Sequence, residues 1–401
     1  MKIVIAAPYV YYPNDKVLCR NKTGFGIMVN KIFNTIREHE PNCKLLSLDL
    51  TGRNTPEGVV KHTAVDILKK VNFKYLVQGI RYFFHGELSL KQRIKYCIYC
   101  FDKGFIEDYL LSERPDVVNI HGIGTKTISI IEVCDKLNIK YIVTLHGLYS
   151  NDKNALSPSV IDRRIEREFI IDAFSSNIPM SVISTGIKKE IEKEYLNGEV
   201  AKNVRIILNG TEGFNELHSC SNSDDYFTIC SIGNLTKGKN HIQIIRACEL
   251  LCRKKKIRLI IVGEGNARNE IEKYIDEHNL ELIVELKGFV DHVDLPKIIK
   301  HCNLNVLASI KEGFGLSIIE GYSMGIPAVF FSDIDAANDI SSPDATIMVE
   351  TRSDEALADA INYALEKKWE MVKIQKFAET FSLEKMAKEY ITYFNDILMK
   401  W

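Results

Sequence analysis

Residues 312–327 read Glu-Gly-Phe-Gly-Leu-Ser-Ile-Ile-Glu-Gly-Tyr-Ser-Met-Gly-Ile-Pro, and this is the most informative stretch of the chain. An apolar run follows a glycine-flanked turn, which predicts a helix that starts near Gly315. The N–H groups and the dipole at such a helix start form a site for anions. Glu312 stands at the mouth of that site, and Glu320 lies about one and a half turns further along the helix. Backbone amides bind phosphate, and carboxylates accept hydrogen bonds from hydroxyls, so this arrangement suits a ligand that carries both a phosphate and hydroxyl groups.

The flanking sequence places this turn in a βαβ unit. Residues 303–309 predict a strand upstream, and residues 326–331 predict another downstream. The turn is therefore expected at the carboxyl edge of a sheet, where open α/β sheets bind their ligands. A helix with two solvated glutamates is the alternative, but the strands on either side favour a binding site.

Strand-like runs alternate with helical patterns along the chain, which predicts parallel sheets with helices on both faces. The alternation is interrupted at residues 211–226, which are polar and turn-prone and form the predicted linker. We therefore expect an α/β fold in which two Rossmann-like doubly wound domains, residues 1–210 and 227–382, face each other across a cleft. The predicted strands are 2–7, 44–49, 117–120, 141–145, 181–184, 204–208, 227–232, 258–262, 283–287, 304–308 and 328–331.

Length and composition limit the class of protein. A chain of 401 residues, 46% of them hydrophobic, is long enough for two sizeable cores. A net charge of −1 gives no indication of nucleic-acid binding. Ten cysteines without a disulfide-framework spacing favour a reducing compartment, and Cys97 and Cys100 predict buried helical cysteines rather than a zinc site. Without a signal peptide or a run of ~18 apolar residues, we expect a cytoplasmic protein, either soluble or peripheral on the inner face of the membrane.

Residues 61–103 differ from the rest of the chain. They contain nine Lys or Arg against three acids, with aromatic residues interleaved. A basic and aromatic amphipathic sequence of this kind can dock on an anionic membrane face. A helical insertion with a solvated basic face and a buried aromatic stripe explains the pattern equally well.

Polar residues and glycine turns follow strands in the first half as well. Thr23-Gly24-Phe25-Gly26 comes after the first strand, and its amides can approach a phosphate or a sugar, although a plain loop is nearly as good an explanation. His146 follows the predicted strand 141–145 and His121 follows 117–120, so both are expected at one sheet edge. We prefer His146 as the functional residue because its strand has the stronger pattern.

Three motifs of the second half carry further chemistry. Lys239, in the loop after strand 227–232, can neutralise a diphosphate leaving group, unless the loop is only a solvated basic segment. Gly263-Glu264-Gly265 resembles the start of a dinucleotide fingerprint, but Arg268 replaces its third small residue, which disfavours a nicotinamide enzyme. Asp333-Ile334-Asp335 matches a metal-binding tripeptide that arises easily by chance, so no metal is expected.

Together these motifs resemble the retaining nucleotide-sugar glycosyltransferases of family 4, which have the two-Rossmann-domain GT-B fold. Residues 312–320 fit the paired-glutamate motif of that family, and Lys239 fits its donor-phosphate lysine. Residues 263–265 fit the turn near the nucleotide base. His146 fits the cleft histidine, and residues 23–26 fit the glycine loop of the acceptor domain.

The resemblance implies a role for each position. Lys239 and the amides at 314–317 would stabilise the departing diphosphate, Glu312 would hold the donor-sugar hydroxyls, and Glu320 would hold the ribose. His146 would touch the sugar or its acceptor side. Retention would follow a same-face mechanism that needs no protein nucleophile, no metal and no other cofactor. The implied residues are Glu312, His146 and Lys239 for catalysis; Glu320, Gly313, Phe314, Gly315, Leu316, Ser317, Asn234, Gly263 and Glu264 for the donor; and Gly24, Phe25 and Gly26 for the acceptor or phosphate loop.

The resemblance also implies partners, and this sequence departs from the family pattern at some positions. The final helix, 383–401, would join the first domain. The donor would be a UDP-, GDP- or ADP-linked sugar and the acceptor a glycan or a lipid-linked glycan, in surface polysaccharide synthesis. Asn234 replaces an arginine that usually accompanies the lysine, and residues 335–339 replace a double glycine and glutamate. A nucleotide-sugar epimerase or hydrolase on the same fold, or an inactive nucleotide-sugar-binding protein, is the alternative.

Overall fold

A computed structural model describes residues 1–84, 89–150, 160–214 and 226–400. The chain divides into two compact units. The first contains Met1–Ile183, Lys188–Ile207 and the residues from Met386 onward; the second contains Ser184–Ile187 and Leu208–Lys385. Of the predicted linker, residues 215–225 lie outside the described part of the chain.

The first unit is built on a six-stranded parallel sheet. The strands are β1 (Ile3–Ala7), β2 (Lys44–Ser47), β3 (Val117–His121), β4 (Tyr141–Leu145), β5 (Met180–Val182) and β6 (Val204–Ile206). They lie in the order β2-β1-β3-β4-β5-β6. Strands β1, β3 and β4 are buried along their whole length, as expected for strands covered by helices on both faces.

The second unit repeats this design with the strand order β12-β11-β10-β7-β8-β9, again entirely parallel. Its strands are β7 (Phe227–Ile232), β8 (Ile257–Val262), β9 (Val284–Gly288), β10 (Leu304–Leu307), β11 (Ala328–Phe331) and β12 (Thr346–Val349). The two doubly wound parallel sheets confirm the predicted α/β fold class. Strand β12 was not predicted, because its short sequence places half-buried Ile347 and exposed Met348 beside each other at the sheet edge.

Helices connect successive strands in both units. They are α1 (Gly24–His39), α2 (Ala64–Lys69), α3 (Phe73–Phe83), α4 (Leu90–Glu113), α5 (Ile128–Leu137), α6 (Val160–Ser175), α7 (Thr185–Glu194), α8 (His241–Cys252), α9 (Arg268–Glu277), α10 (Leu295–Ile299), α11 (Leu316–Ser323), α12 (Ala337–Ile340), α13 (Asp354–Glu366), α14 (Met371–Ala378) and α15 (Leu383–Lys400).

Each sheet has a point at which the direction of winding reverses. In the first sheet it lies between β1 and β3, and in the second between β7 and β10. The loops that leave the carboxyl ends of these four strands diverge there and form a crevice for ligands. These loops are residues 8–23 and 121–127 in the first unit and 233–240 and 308–315 in the second. They include Thr23, His121, Lys239 and Glu312, which the sequence singled out.

Helix α15 packs into the first unit through one buried face. Tyr390 and Phe394 are fully buried, and the Tyr393 hydroxyl donates to the carbonyl oxygen of Met180 at 3.0 Å. The Arg205 guanidinium pairs with Asp396 at 2.5 Å and lies over the Tyr393 ring. The apolar spacing of this helix thus covers the β4–β6 side of the first sheet.

Candidate active site

Helix α11 begins where the glycine turn predicts it. Gly315 precedes the helix with φ 85°, a left-handed conformation that favours glycine, and a Cβ atom there would lie 3.1 Å from Ile340. The first bond of the turn runs from the Ile318 N–H to the Gly315 carbonyl at 2.9 Å. The N–H groups of Leu316 and Ser317 precede that bond, and N–H groups at such a helix start are suited to bind an anion.

Glu312 and Lys239 meet at this helix start. The Lys239 ammonium donates to the Glu312 carboxylate, and the Ser309 hydroxyl donates to the same oxygen at 3.2 Å. Their side chains are 28% and 14% exposed, so the pair is accessible from one side only. The loops after β7 and β10 therefore bring a cation, a carboxylate and free amides to one point of the second sheet edge.

Glu320 has a partner that sequence reasoning missed. The His292 ring donates from Nε2 to Oε1 of Glu320 at 2.7 Å, and the Phe214 ring lies 5.1 Å from the imidazole. The Glu320 side chain is 9% exposed, so one hydrogen bond orients a nearly buried carboxylate. A polar residue shortly after strand β9 was the available signal, the same signal that identified His146 after β4.

The turn at 263–265 is held by close backbone contact. Gly263 has φ 147°, and a Cβ atom there would lie 2.0 Å from the carbonyl oxygen of Gly233. Glu264 accepts from Arg268 at 2.5 Å, so the residue that breaks the dinucleotide fingerprint neutralises this glutamate instead. The loops after β7 and β8 are thereby packed into one surface beside Lys239.

The remaining residues around Lys239 have other surroundings. Asn234 is exposed, and Lys237 is 82% exposed and lies 3.9 Å from Glu270. Among the described contacts, Lys237 therefore does not replace the missing arginine beside Glu312.

Residues 335–339 are bound to the segment 184–187 of the same unit, since the Thr185 N–H donates to the Asp339 carboxylate at 2.7 Å.

The DxD tripeptide has a structural partner. The Arg352 guanidinium binds both carboxylate oxygens of Asp333, at 2.6 and 2.7 Å, and donates to the carbonyl oxygen of Ser309 at 2.6 Å. Arg352 thus fixes the start of the loop that carries Glu312. Within residues 1–84, 89–150, 160–214 and 226–400, no cluster of three or more His, Cys, Asp or Glu side chains is arranged to hold a metal ion.

The glycine loop and His146 of the first unit lie together. Helix α1 begins at Gly24, so the glycine loop forms its first turn, and the Thr23 hydroxyl accepts from the Gly26 N–H at 3.0 Å. A Cβ atom on Gly26 would lie 2.5 Å from the Asn21 carbonyl oxygen, so glycine is required there. The Phe25 ring lies 4.9 Å from the His146 ring, edge to face. The Gly26 amide is therefore used by its own helix cap, and Phe25 is the residue that connects this loop to the histidine.

The two histidines at the same sheet edge form a pair. Nδ1 of His121 lies 2.8 Å from Nε2 of His146. Burial lowers the pKa of His146 to about 4, and burial together with the neighbouring ring lowers the pKa of His121 well below its usual value. Both rings are therefore neutral at physiological pH.

Comparison with known proteins identifies the class of enzyme. Residues 214–381 match the family model described as glycosyl transferases group 1. A Campylobacter jejuni protein, N-acetylgalactosamine-N,N'-diacetylbacillosaminyl-diphospho-undecaprenol 4-alpha-N-acetylgalactosaminyltransferase, is 25% identical over 312 residues, which are 75% of this chain and 79% of that protein. The next two curated relatives are matched over only 58% and 53% of their length.

Solved structures agree in fold. The apo lipopolysaccharide outer core galactosyltransferase WaaB has a TM-score of 0.71 and 16% identity, covering 100% of this chain and 99% of that one. Anabaena HepE in complex with UDP and glucose has a TM-score of 0.64 and 15% identity over 99% of this chain and 100% of that one. Residues 214–381 thus match a group 1 glycosyltransferase domain, the chain has the GT-B fold of these structures, and the predicted enzyme class, a glycosyltransferase, is confirmed.

Proposed function

We propose that this chain transfers a sugar, with retention, from a nucleoside diphosphate sugar to a glycan or lipid-linked acceptor in surface polysaccharide synthesis. The observation that carries the proposal is the contact of Lys239 with Glu312 beside the free amides of α11. The names of two similar proteins support the acceptor class, since one refers to a diphospho-undecaprenol sugar and the other to the lipopolysaccharide outer core. UDP in the HepE complex makes a UDP-sugar the first donor to test.

The donor site has three chemical parts. The amides at Phe314–Ser317 and the Lys239 ammonium face the charge that develops on the leaving diphosphate. Glu312 accepts from the donor-sugar hydroxyls once Lys239 turns to the phosphate. Glu320, oriented by His292, accepts from the ribose hydroxyls.

Retention follows from a same-face displacement. The bond from the anomeric carbon to the diphosphate oxygen breaks, and the acceptor oxygen forms its bond on the face that the diphosphate leaves. The acceptor proton passes to the departing phosphate oxygen, so no protein nucleophile is needed. The role of the protein is to hold both groups and to stabilise the charge on the diphosphate.

The test of this function measures sugar transfer by wild type and by Glu312→Ala with UDP-, GDP- and ADP-sugars. We expect the variant to lose about 100-fold or more in turnover, the usual effect of removing one group from such a site. Glu281→Ala, which removes an exposed glutamate of the same unit, is the matched control. Unchanged turnover in Glu312→Ala would reject the assignment, and product analysis without acceptor separates transfer from hydrolysis or epimerisation.

We also propose that the segment 61–103 docks on an anionic membrane face. Large apolar side chains are exposed along it, including Leu68, Phe73 and Phe84 at 72%, 77% and 78%. Of the Phe and Tyr side chains that the structure describes in this segment, only Tyr75 and Tyr99 are buried. Phe73, Val77, Ile80 and Phe84 recur at helical spacing along α3 and its end, beside exposed Lys69, Lys74 and Arg81. An apolar stripe flanked by cations matches an anionic bilayer in both polarity and charge.

Liposome flotation tests the membrane proposal. Wild type should float with vesicles that contain phosphatidylglycerol at low salt and less at high salt, and Phe73→Ser/Phe84→Ser should float several-fold less. Leu282→Ser, which removes an exposed leucine of the second unit, should leave flotation unchanged. No binding of wild type to anionic vesicles at low salt would reject the proposal. No helix in the described ranges is both long and apolar enough to cross a bilayer.

A further inference from the structure

The contact between His121 and His146 limits what either ring can do. A nitrogen-to-nitrogen distance of 2.8 Å requires one hydrogen atom between Nδ1 of His121 and Nε2 of His146. Each neutral imidazole carries one N–H, so one ring donates and the other accepts. The direction of this single bond therefore fixes the tautomer of both rings.

Two arrangements satisfy this rule. In the first, His121 donates from Nδ1, so that its Nε2 is a bare lone pair and His146 carries its hydrogen on Nδ1. In the second, His146 donates from Nε2, so that its Nδ1 is a lone pair and His121 carries its hydrogen on Nε2. His146 presents a donor at Nδ1 in the first arrangement and a base in the second.

The surroundings of His121 select the first arrangement. His121 is fully buried, with the Tyr390 ring 6.3 Å from its own, and its Nε2 has no hydrogen-bond partner among the described residues. The second arrangement places an N–H at this nitrogen, and a buried N–H without an acceptor is rarer in proteins than a buried acceptor without a donor. The hydrogen of His121 is therefore on Nδ1, where it has the His146 ring as its acceptor.

We propose that His121 is a positioning residue that holds His146 as a neutral hydrogen-bond donor through Nδ1. His146 is the partly exposed member of the pair, and Phe25 packs edge-on against its ring at 4.9 Å. The lone pair of Nε2 accepts from His121 and is not available to remove a proton. The group that His146 recognises is therefore an oxygen atom that accepts a hydrogen bond, on the acceptor or on the transferred sugar; that choice of ligand rests on the proposed function.

Nitrogen NMR of the imidazole rings tests the tautomer without any activity. With ¹⁵N-labelled histidine in the full chain, and with His121→Phe and His146→Asn to assign the signals, both rings should show a protonated Nδ1 and a bare Nε2. In His121→Phe, which lacks the donor, His146 should shift toward the tautomer protonated on Nε2. A protonated Nε2 at His146 in wild type would overturn the inference, even if the enzyme proves to be a glycosyltransferase.

Two variants of His146 test the donor in turnover. The amide nitrogen of Asn lies close to the position of Nδ1, and that of Gln lies close to the position of Nε2. His146→Asn should therefore retain at least tenfold more transfer than His146→Gln, and equal or reversed activities would contradict a donor at Nδ1. A loss confined to transfer places the recognised oxygen on the acceptor, whereas a parallel loss in acceptor-free donor hydrolysis places it on the sugar.

If wild type turns over no nucleotide sugar, the proposed function fails while the NMR result still decides the tautomer. A folding defect is recognised separately, because His121→Asn keeps an amide donor near Nδ1. This variant should restore the wild-type tautomer of His146 and most of the transfer that His121→Phe loses. Failure of His121→Asn to restore either, in a protein with the wild-type thermal midpoint, would also overturn the inference.

Discussion

Replacing Lys239 by methionine removes a charge that acts in two different ways. The Lys239 ammonium compensates Glu312, whose side chain is 14% exposed. Under the proposed function it also stabilises the charge of the leaving diphosphate. Exposed ion pairs contribute about 0.2–1 kcal/mol, and breaking a buried one costs about 3–5 kcal/mol. With exposures of 28% and 14%, and the Ser309 hydroxyl still bound to Glu312, we expect a loss of about 1–2 kcal/mol in the free energy of unfolding.

The effect on turnover should be larger than the effect on stability. Loss of one preorganised group that stabilises developing charge costs about 10²–10³ in rate, or about 3–4 kcal/mol. The double variant Lys239→Met/Glu312→Gln removes both charges, so it should recover the stability but not the turnover. A double-mutant cycle measured by urea unfolding and by single-turnover transfer at saturating donor separates the two roles. Turnover of Lys239→Met within threefold of wild type, or recovered in the double variant, would refute the reasoning.

Three further predictions concern other parts of the site and the core. His292→Ala leaves Glu320 without its 2.7 Å partner, so calorimetry should show that UDP binds about five- to tenfold more weakly, with the affinity of His292→Gln closer to that of wild type. Equal UDP affinities of His292→Ala and wild type would contradict this role of His292. Gly263→Ala places a Cβ atom 2.0 Å from a backbone oxygen of the neighbouring loop, at φ 147°, so urea unfolding should show that the free energy of unfolding falls by about 3 kcal/mol or more. Gly238→Ala should be nearly neutral, because the closest neighbour of its Cβ atom is 3.8 Å away, and equal losses in the two variants would contradict the contact. Burial raises the pKa of Asp102 from 3.8 to about 7, so the folded state binds this proton more tightly than the unfolded state, and the stability that the proton provides is lost as pH rises through 7. The free energy of unfolding of Asp102→Asn should therefore match that of wild type near pH 4 and exceed it by up to about 4 kcal/mol above pH 7. A difference that does not change with pH would contradict the shift.

Local sequence was sufficient for the fold because each signal agrees with the next. Short, mainly apolar runs bounded by turn residues, such as Ile3–Ala7 and Leu304–Leu307, are typical of strands in a sheet buried on both faces. Gly315 adopts a left-handed backbone that few other residues tolerate, and the apolar run that follows it predicts the helix. Strand β12 was not predicted because an edge strand needs little burial, so the apolar pattern of its sequence is weak.

The site was harder to predict because its pairs join residues far apart in the chain. Lys239 and Glu312 were both identified, yet nothing local indicates that they touch across 73 positions. His292 reaches Glu320 only because the loop after β9 turns toward α11. Similarly, the capping bond from Gly26 to Thr23 is a local signal, but a glycine turn at a phosphate and a glycine turn in a helix cap have the same sequence.

The path of helix α15 has a consequence for how this chain is made. The first unit includes residues from Met386 onward, and Tyr390 and Phe394 are fully buried in it. A ribosome delivers β1 to β6 first and these two side chains only after the whole second unit. Until translation has passed Phe394, the first unit therefore has an apolar surface beside β5 that α15 does not yet cover. Slow passage through the second unit should lengthen the time for which chaperones and proteases can reach that surface, so we expect slow codons in the second unit to lower the yield of the folded first unit.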